Sequence, residues 1–344
     1  MADMNYPAPM FPGFDYDSPF QCTVEVSDAH CETLTQSMID KARGIPVSLT
    51  HQETEWLVGP LGLNFWRPPT NNDEGAQLHH KRRVWQYAGQ NATATKVTAA
   101  MDGAAATVTA ELAIPAGDSA ATIRYRLTGS GQLFIDTDFR AGRGLPGLPR
   151  VGFQCAVPAG AAMCKWWGRG PHENYADRNS GAWTSLHELP TTALFHRYTD
   201  PQESGNRTDI RWFSLAKPSG GSSLRVDAAG GSLLECGIYP CSQTDITLAR
   251  HAVDIPQRNF LTLNLDHRHS GMGGTNSWGA MPLPQYLLPS GKSYRWSMML
   301  SFATTPSVLT RPLPRGLEQR TLPRRLPPPP TTDHTPPEPA PDAR

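Results

Sequence analysis

Residues 120 to 140 restrict this chain to a sheet-built fold. Ile123, Tyr125 and Leu127 alternate with polar residues, Gly129-Ser130-Gly131 interrupts the run, and Leu133, Ile135, Thr137 and Phe139 alternate back. A period of two puts one set of side chains on one face of a strand, so the segment predicts a β-hairpin with one buried face. Similar runs occur at 107–114, 151–157, 261–265 and 294–300, divided by connectors that carry Pro and Gly. Only the stretch from Leu78 to Tyr87 reads as a short helix. Strands spaced in this way, with almost no helix between them, predict an all-β antiparallel sandwich of one large domain.

That texture holds for residues 21–303. The first twenty residues are rich in Pro, Gly and aromatics without periodicity and read as an extended lead-in. Residues 304–344 hold twelve of the 33 prolines, including the run Pro327 to Pro330, with arginines interleaved. No core forms from such a composition. A polyproline II ligand for another protein is the sharper reading of this segment, and a disordered tail is the plainer one.

Charge excludes several functions. The 31 Lys and Arg balance 31 Asp and Glu, and charged residues make up 18% of the chain. No electrostatic footprint for nucleic acid or an anionic membrane surface exists in such a balance. The longest apolar runs fall far short of a bilayer span. Met1-Ala2-Asp3-Met4-Asn5 lacks the positive and then apolar pattern of a secretory signal, which predicts a cytoplasmic protein. The six cysteines, Cys22, Cys31, Cys155, Cys164, Cys236 and Cys241, then read as free thiols, none at metal-finger spacing. His79-His80 and His267-Arg268-His269 are the only histidine clusters. The first pair is expected to diverge on a helix, the second to share a strand face, and neither completes a four-ligand metal set.

Four blocks carry more information than composition does. The first runs Asn64-Phe65-Trp66-Arg67-Pro68-Pro69-Thr70-Asn71-Asn72-Asp73-Glu74-Gly75. The second is Gly170-Pro171-His172-Glu173-Asn174-Tyr175-Ala176-Asp177-Arg178, and the third Pro201-Gln202-Glu203-Ser204-Gly205-Asn206-Arg207-Thr208-Asp209-Ile210-Arg211-Trp212. The fourth is Asp266-His267-Arg268-His269-Ser270-Gly271-Met272-Gly273-Gly274-Thr275-Asn276-Ser277-Trp278-Gly279. In kind and order these blocks resemble the signatures of the C-terminal β-sandwich, or small chain, of family 2 β-galactosidases. The departures are Pro68 and Asn71 in the first block and His269, Ser270, Thr275 and Asn276 in the fourth.

The resemblance implies a large antiparallel two-sheet super-sandwich of galactose mutarotase-like fold. It also implies a division of labour. Retaining glycoside hydrolysis needs two carboxylates about 5 Å apart, and in the family both come from a TIM barrel, a pattern of roughly 250 residues that this sequence lacks. No catalytic residue is therefore expected here. The chain is expected to complete the site for a β-galactoside sugar on a barrel-bearing large chain or oligomer, with magnesium and sodium held by that partner and no cofactor of its own. A free-standing carbohydrate-binding sandwich is the alternative, and an aldose mutarotase-like enzyme a more distant one.

In the family the glycine-rich loop of the fourth block reaches the sugar, so Trp278 is the expected substrate contact. An indole face suits the C–H surface of a pyranose, while Gly273 and Gly274 let the backbone bend close to another surface. Arg67, Asn72, Asp73, His172, Glu173, Asn174, Asp177 and Arg178 are supporting candidates. Glu173, Asp177 and Arg178 are expected to knit their loop by ion pairs, and Asn72-Asp73 to close a turn through side-chain-to-backbone bonds. His172 and Glu173, being adjacent on an extended chain, are not expected to face one substrate as an acid/base pair.

Overall fold

A computed structural model describes residues 21–27, 34–103, 105–217, 220–276 and 279–305. The expected lead-in at 1–20, the Pro-rich segment beyond Thr305 and Trp278 itself lie outside these residues. Strands β1 (Gln21–Ser27), β2 (Leu34–Asp40), β3 (Ile45–His51) and β4 (Thr54–Glu55) form a four-stranded sheet in that order. There follow β5 (Gly59–Asn64), helices α1 (Asn71–Gly75) and α2 (Leu78–Lys81), and the strands β6 (Thr93–Asp102), β7 (Ala105–Ala113), β8 (Ala120–Leu127) and β9 (Leu133–Arg140). Then come β10 (Arg150–Pro158), β11 (Met163–Gly170), β12 (Trp183–Pro190), β13 (Arg207–Ile210), β14 (Trp212–Ala216) and β15 (Gly221–Ala229). The order closes with β16 (Leu234–Tyr239), α3 (Gln243–Leu248), β17 (Phe260–His269) and β18 (Ser293–Thr305). These strands build a nine-stranded sheet, β12-β11-β14-β15-β18-β9-β8-β7-β6, and a five-stranded sheet, β13-β16-β17-β10-β5, with antiparallel pairing in both. The all-β expectation holds.

The founding hairpin is β8 and β9. Ile123 faces Thr137, Tyr125 faces Ile135 and Leu127 faces Leu133, so the alternating apolar sets lie on one side. Their partners are the core-facing residues of the five-stranded sheet, among them Leu63, Phe153, Ile238 and Leu263, which with Ile123 and Ile135 belong to one apolar core. Phe153 meets Trp296 edge-on at 5.7 Å between ring centres, joining the two sheets. Burial of an aromatic of this size contributes about 1.5–3 kcal/mol, and the sum over such contacts holds the layers together.

The five-stranded sheet is buried on both faces, and only one of them is apolar. In β10, Val151, Phe153, Cys155 and Val157 enter the core, while Arg150 and Gln154 point the other way and are also buried. In β17, Leu261, Leu263 and Leu265 take the core side, and Thr262, Asn264 and Asp266 the polar side. Glu235 stands directly opposite Asp266 on β16. Gly152 makes room for Asp266, since a Cβ there would lie 2.4 Å from its Oδ1. The loops of the four sequence blocks cover this polar face.

The register between β10 and β17 shifts at His267, which is left as the extra residue of a bulge. The bulge corrects an expectation. His267 stays on the core side, stacked on Trp296 at 5.4 Å, and burial pulls its pKa down to about 4. His269 is turned onto the polar face, opposite Arg150. The two histidines therefore do not share a face.

Helices differ from the sequence reading too. The stretch from Leu78 is α-helical only to Lys81, followed by a 3-10 turn at Arg83–Trp85, and the rings of His79 and His80 lie 3.9 Å apart rather than diverging. Asn72 and Asp73 make the expected side-chain-to-backbone bonds, to Met272 O and from Thr70 N, but from a short helix rather than a turn. They lie in α1, where Thr70 and Asp73 form a capping box: Asp73 N donates to Thr70 Oγ1 at 3.0 Å and Thr70 N to Asp73 Oδ2 at 3.1 Å. A five-residue helix is too short to show a period of 3.6 in sequence. The last strand pairs through Thr305 with Gly221, two residues past the expected end of the sandwich at 303.

Candidate functional site

Arg150 is the centre of the polar face. It is fully buried, and its Nη2 donates to Glu203 Oε1 at 3.1 Å and to the Tyr239 hydroxyl at 3.3 Å. Nη1 donates to Asn264 Oδ1 at 3.1 Å and Gln243 Oε1 at 3.3 Å. Nε lies 3.1 Å from Asp266 Oδ2, yet that contact lacks the alignment of a hydrogen bond, and neither oxygen of Asp266 receives a proton donor. Burial drives the Asp266 pKa far above the usual carboxylate range. Burial also raises Glu203, against the pull of Arg150 and the Tyr239 hydroxyl. It lifts Glu235 to about 7, in spite of the Asn206 amide that donates to Glu235 at 2.8 Å. One guanidinium thus stands among three buried carboxyls whose surroundings favour their protons.

Above it sits Arg67, 1% exposed, in a bidentate pair with Asp73 at 2.9 and 2.8 Å. Burial opposes the charge of both, but the pair wins: the Asp73 pKa falls and that of Arg67 rises. The remaining donors of Arg67 reach Ser270 O at 2.8 Å and Gly271 O at 3.2 Å. Two further side chains hold the same loop. Asn72 Nδ2 donates to Met272 O at 3.1 Å, and Gly273 N donates to Asp177 Oδ2 at 2.9 Å. Gly273 and Gly274 adopt φ of 71° and 90°, a region L side chains avoid. A Cβ on Gly274 would sit 2.9 Å from the Asn72 amide, and one on Gly279 would come 2.3 Å from the backbone of Gly75. The glycines therefore let the loop lie directly on α1. Arg67, Asn72, Asp73, Asp177, Gly273 and Gly274 come together as one clamp on the segment that leads into Trp278.

Glu173, Asn174 and Arg178 build the neighbouring brace. Glu173 accepts from Gly205 N at 2.7 Å, from Arg178 Nη2 at 2.6 Å and from the Tyr198 hydroxyl. Asn174, fully buried, accepts from Thr208 N at 2.9 Å and Thr208 Oγ1 at 2.7 Å, and its Nδ2 donates to His172 O. Both oxygens of Glu173 are thus engaged in holding backbone and neighbours. His172 is exposed and joins this brace only through its carbonyl. The geometry gives no poised acid/base pair at 172–173.

A polar cavity of about 100 Å³ opens between the loops. Each sequence block contributes to its wall: Thr70 and Asn72 from the first, Arg178 from the second, Gln202 and Glu203 from the third, Met272 from the fourth. Among the described residues no cluster of three or more His, Cys, Asp or Glu is arranged to hold a metal ion, and no helix is long and apolar enough to cross a membrane.

The residues at the heart of the network, Arg150, Glu203, Glu235, Tyr239, Asp266 and His269, were not singled out in the sequence as site candidates. A signal for some of them exists. Arg150 and Gln154, like Thr262, Asn264 and Asp266, recur with a period of two inside runs that are otherwise apolar, the pattern of a strand buried on both faces with one polar side.

Residues 32–300 match the family described as "Beta galactosidase small chain". Two similar curated proteins are a β-galactosidase of Priestia megaterium, 30% identical over 258 residues covering 75% of this chain and 25% of that protein, and one of Lactobacillus delbrueckii subsp. bulgaricus, 28% identical over 268 residues covering 77% and 26%. The chain thus spans about a quarter of the length of these relatives. Among solved structures, galactose 1-epimerase of Lactobacillus acidophilus NCFM aligns over 83% of this chain and 98% of its own, with 9% identity and a TM-score of 0.46.

Proposed function

Since the chain belongs to the β-galactosidase small-chain family, we propose that it is the part of a β-galactosidase that walls the sugar site, and that the bond-breaking carboxylates belong to a TIM-barrel partner. The observation that carries this reading is the clamp on residues 270–273. Arg67, Asn72 and Asp177 grip four successive residues of the glycine-rich loop from two other blocks. A loop held in this way presents its tip at low entropic cost on binding, which is how rigid scaffolds display binding residues.

In this reading Trp278, further along the same sequence block, supplies an apolar face for the C–H side of a β-galactoside, excludes water on the leaving-group side and leaves the hydroxyls to the partner. The chemistry itself requires a nucleophile and an acid/base carboxyl about 5 Å apart. The carboxyls of the polar face are committed elsewhere: Glu203 lies under Arg150, Tyr175 and Tyr239, and Glu173 holds Gly205 and Arg178. Magnesium and sodium belong with the partner in this scheme, and the assembled enzyme works in the cytoplasm, a setting that suits the free, buried thiols of Cys155, Cys164, Cys236 and Cys241.

The purified chain is expected to leave o-nitrophenyl β-galactoside intact. Turnover that copurifies with the chain through successive columns, and disappears in a Glu203→Gln variant that still folds, would place the chemistry on this sandwich and overturn the reading.

A further inference from the structure

Four side chains around the polar cavity between the loops keep hydrogen-bonding capacity that the fold does not use. Arg178 donates through Nη2 alone, to Glu173 at 2.6 Å and to the Tyr198 hydroxyl at 3.4 Å, with its guanidinium carbon 4.9 Å from the centre of the Tyr175 ring. A guanidinium has five N–H groups, and those on Nε and Nη1 meet no acceptor among the described residues. Asn72 spends Nδ2 on Met272 O, and its Oδ1 receives no donor among the described residues. Thr70 Oγ1 accepts from Asp73 N at 3.0 Å and still has its hydroxyl proton to give. Glu203 Oε2 accepts only from the Tyr239 hydroxyl, at 2.9 Å, among the described residues. All four residues line the cavity, and Met272 adds an apolar patch.

Volume and charge narrow what could use these groups. The cavity measures about 100 Å³, whereas roughly 10–15 Å³ suffices for one water, so several hydroxyl-sized groups fit side by side. The Arg178 side chain is 46% exposed, and a ligand too large to be enclosed can project past it. No surplus charge calls for an ion, because Arg178 is balanced by Glu173 at 2.6 Å and Glu203 by Arg150 at 3.1 Å. The unspent groups are donors on Arg178 and Thr70 and acceptors on Asn72 and Glu203. A hydroxyl both donates and accepts, and two neighbouring hydroxyls satisfy such a mixed set. A phosphate would bring acceptors alone against Asn72 Oδ1 and Glu203, which leaves polar atoms unpaired.

We propose that this cavity binds the vicinal-diol edge of a neutral monosaccharide: Arg178 and Thr70 donate to its hydroxyl oxygens, Asn72 and Glu203 accept its hydroxyl protons, and Met272 packs against its C–H surface. A ring held there ties together residues from all four sequence blocks, including the Met272 segment that Asn72 already grips. The inference does not rest on the sugar-wall reading, because Trp278 takes no part in it and every group it uses lies within the described residues.

Calorimetric titration of the full chain with D-galactose and with D-glucose tests it, beside permethylated methyl galactoside, the same ring without free hydroxyls, and inorganic phosphate. The expected result is saturable binding of one or both free sugars and none of the other two compounds. Arg178→Lys keeps the charge beside Glu173 but gives up the unspent guanidinium edge, and should weaken sugar binding about tenfold. Trp278→Ala should bind as the wild type does; loss of binding in that variant would assign the sugar to the wall and overturn the proposal while leaving the wall reading intact. If Arg178→Lys fails to fold, crystals soaked in galactose decide the matter through ring density within hydrogen-bonding distance of Arg178 and Asn72. No binding of either sugar, binding of phosphate instead, an Arg178→Lys protein with unchanged affinity, or soaked crystals with water alone in the cavity would each overturn the proposal.

Discussion

Replacing Glu235 by Gln should make the protein more stable at alkaline pH, although it removes a buried charge-bearing group from the centre of the polar face. Glu235 is 2% exposed, directly opposite Asp266, and accepts from Asn206. Burial raises its pKa from 4.5 to about 7. A raised pKa in the folded state means that folding is favoured while the proton is on, so the contribution is fully present below about pH 4.5 and is lost as pH rises through 7. A shift of this size, at 1.36 kcal/mol per unit, corresponds to about 3 kcal/mol lost between pH 4 and pH 8. Gln keeps an oxygen for the Asn206 amide and offers its own N–H groups toward Asp266, whose oxygens lack donors. Urea denaturation at pH 4, 6 and 8 checks it. The wild type should lose stability over that range, and Glu235→Gln should remove about 3 kcal/mol of the loss. A variant that is less stable than the wild type at pH 8, or that keeps the full pH dependence, would show that burial does not raise the Glu235 pKa in the folded protein and that the polar face is balanced differently.

Three further outcomes follow from the same structure. Arg150→Met leaves acceptors on Glu203, Tyr239, Asn264 and Gln243 without their donor and should destabilise by about 1–3 kcal/mol for each buried acceptor left unsatisfied; denaturant unfolding at pH 7 reads it, and a loss under about 1 kcal/mol would show that these acceptors find other donors. Removal of residues 306–344, which hold twelve prolines, should leave the melting temperature unchanged, whereas ending the chain before Gly221's partner Thr305 should lower it, since β18 pairs to that residue. Cys155 and Cys164, with thiols that burial pushes up to about 12, should resist iodoacetamide at pH 8 in the folded protein and react after unfolding; prompt labelling of either in the native state would contradict their burial.

How much of this was legible beforehand depends on the range of the interaction. The hairpin of β8 and β9 reads directly from sequence because a strand buried on one face writes its period of two in adjacent residues. The clamp residues Arg67, Asn72 and Asp177 were legible as members of blocks, but their target was not: Asn72 reaches Met272 across 200 positions and Arg67 reaches Ser270 across 203. Arg150 was invisible as a centre because its partners Glu203, Tyr239 and Asp266 meet only after the sheet forms. The bulge at His267 shows the limit most sharply, since one unpaired residue sends His269 to the face opposite the one that a regular strand assigns.

The central claim is that this sandwich contributes a sugar wall and no chemistry, and the exchange of one domain tests it most directly. Residues 32–300 would replace the matching quarter of the Priestia megaterium β-galactosidase, a segment 30% identical, and o-nitrophenyl β-galactoside turnover would be compared for the hybrid, the hybrid with Trp278→Ala and the relative lacking that quarter. The account predicts an active hybrid, an inactive truncated relative and a Trp278→Ala hybrid that assembles normally but loses about 1–3 kcal/mol in kcat/KM, the worth of a well-packed aromatic contact. A hybrid whose kcat/KM is untouched by Trp278→Ala would contradict it.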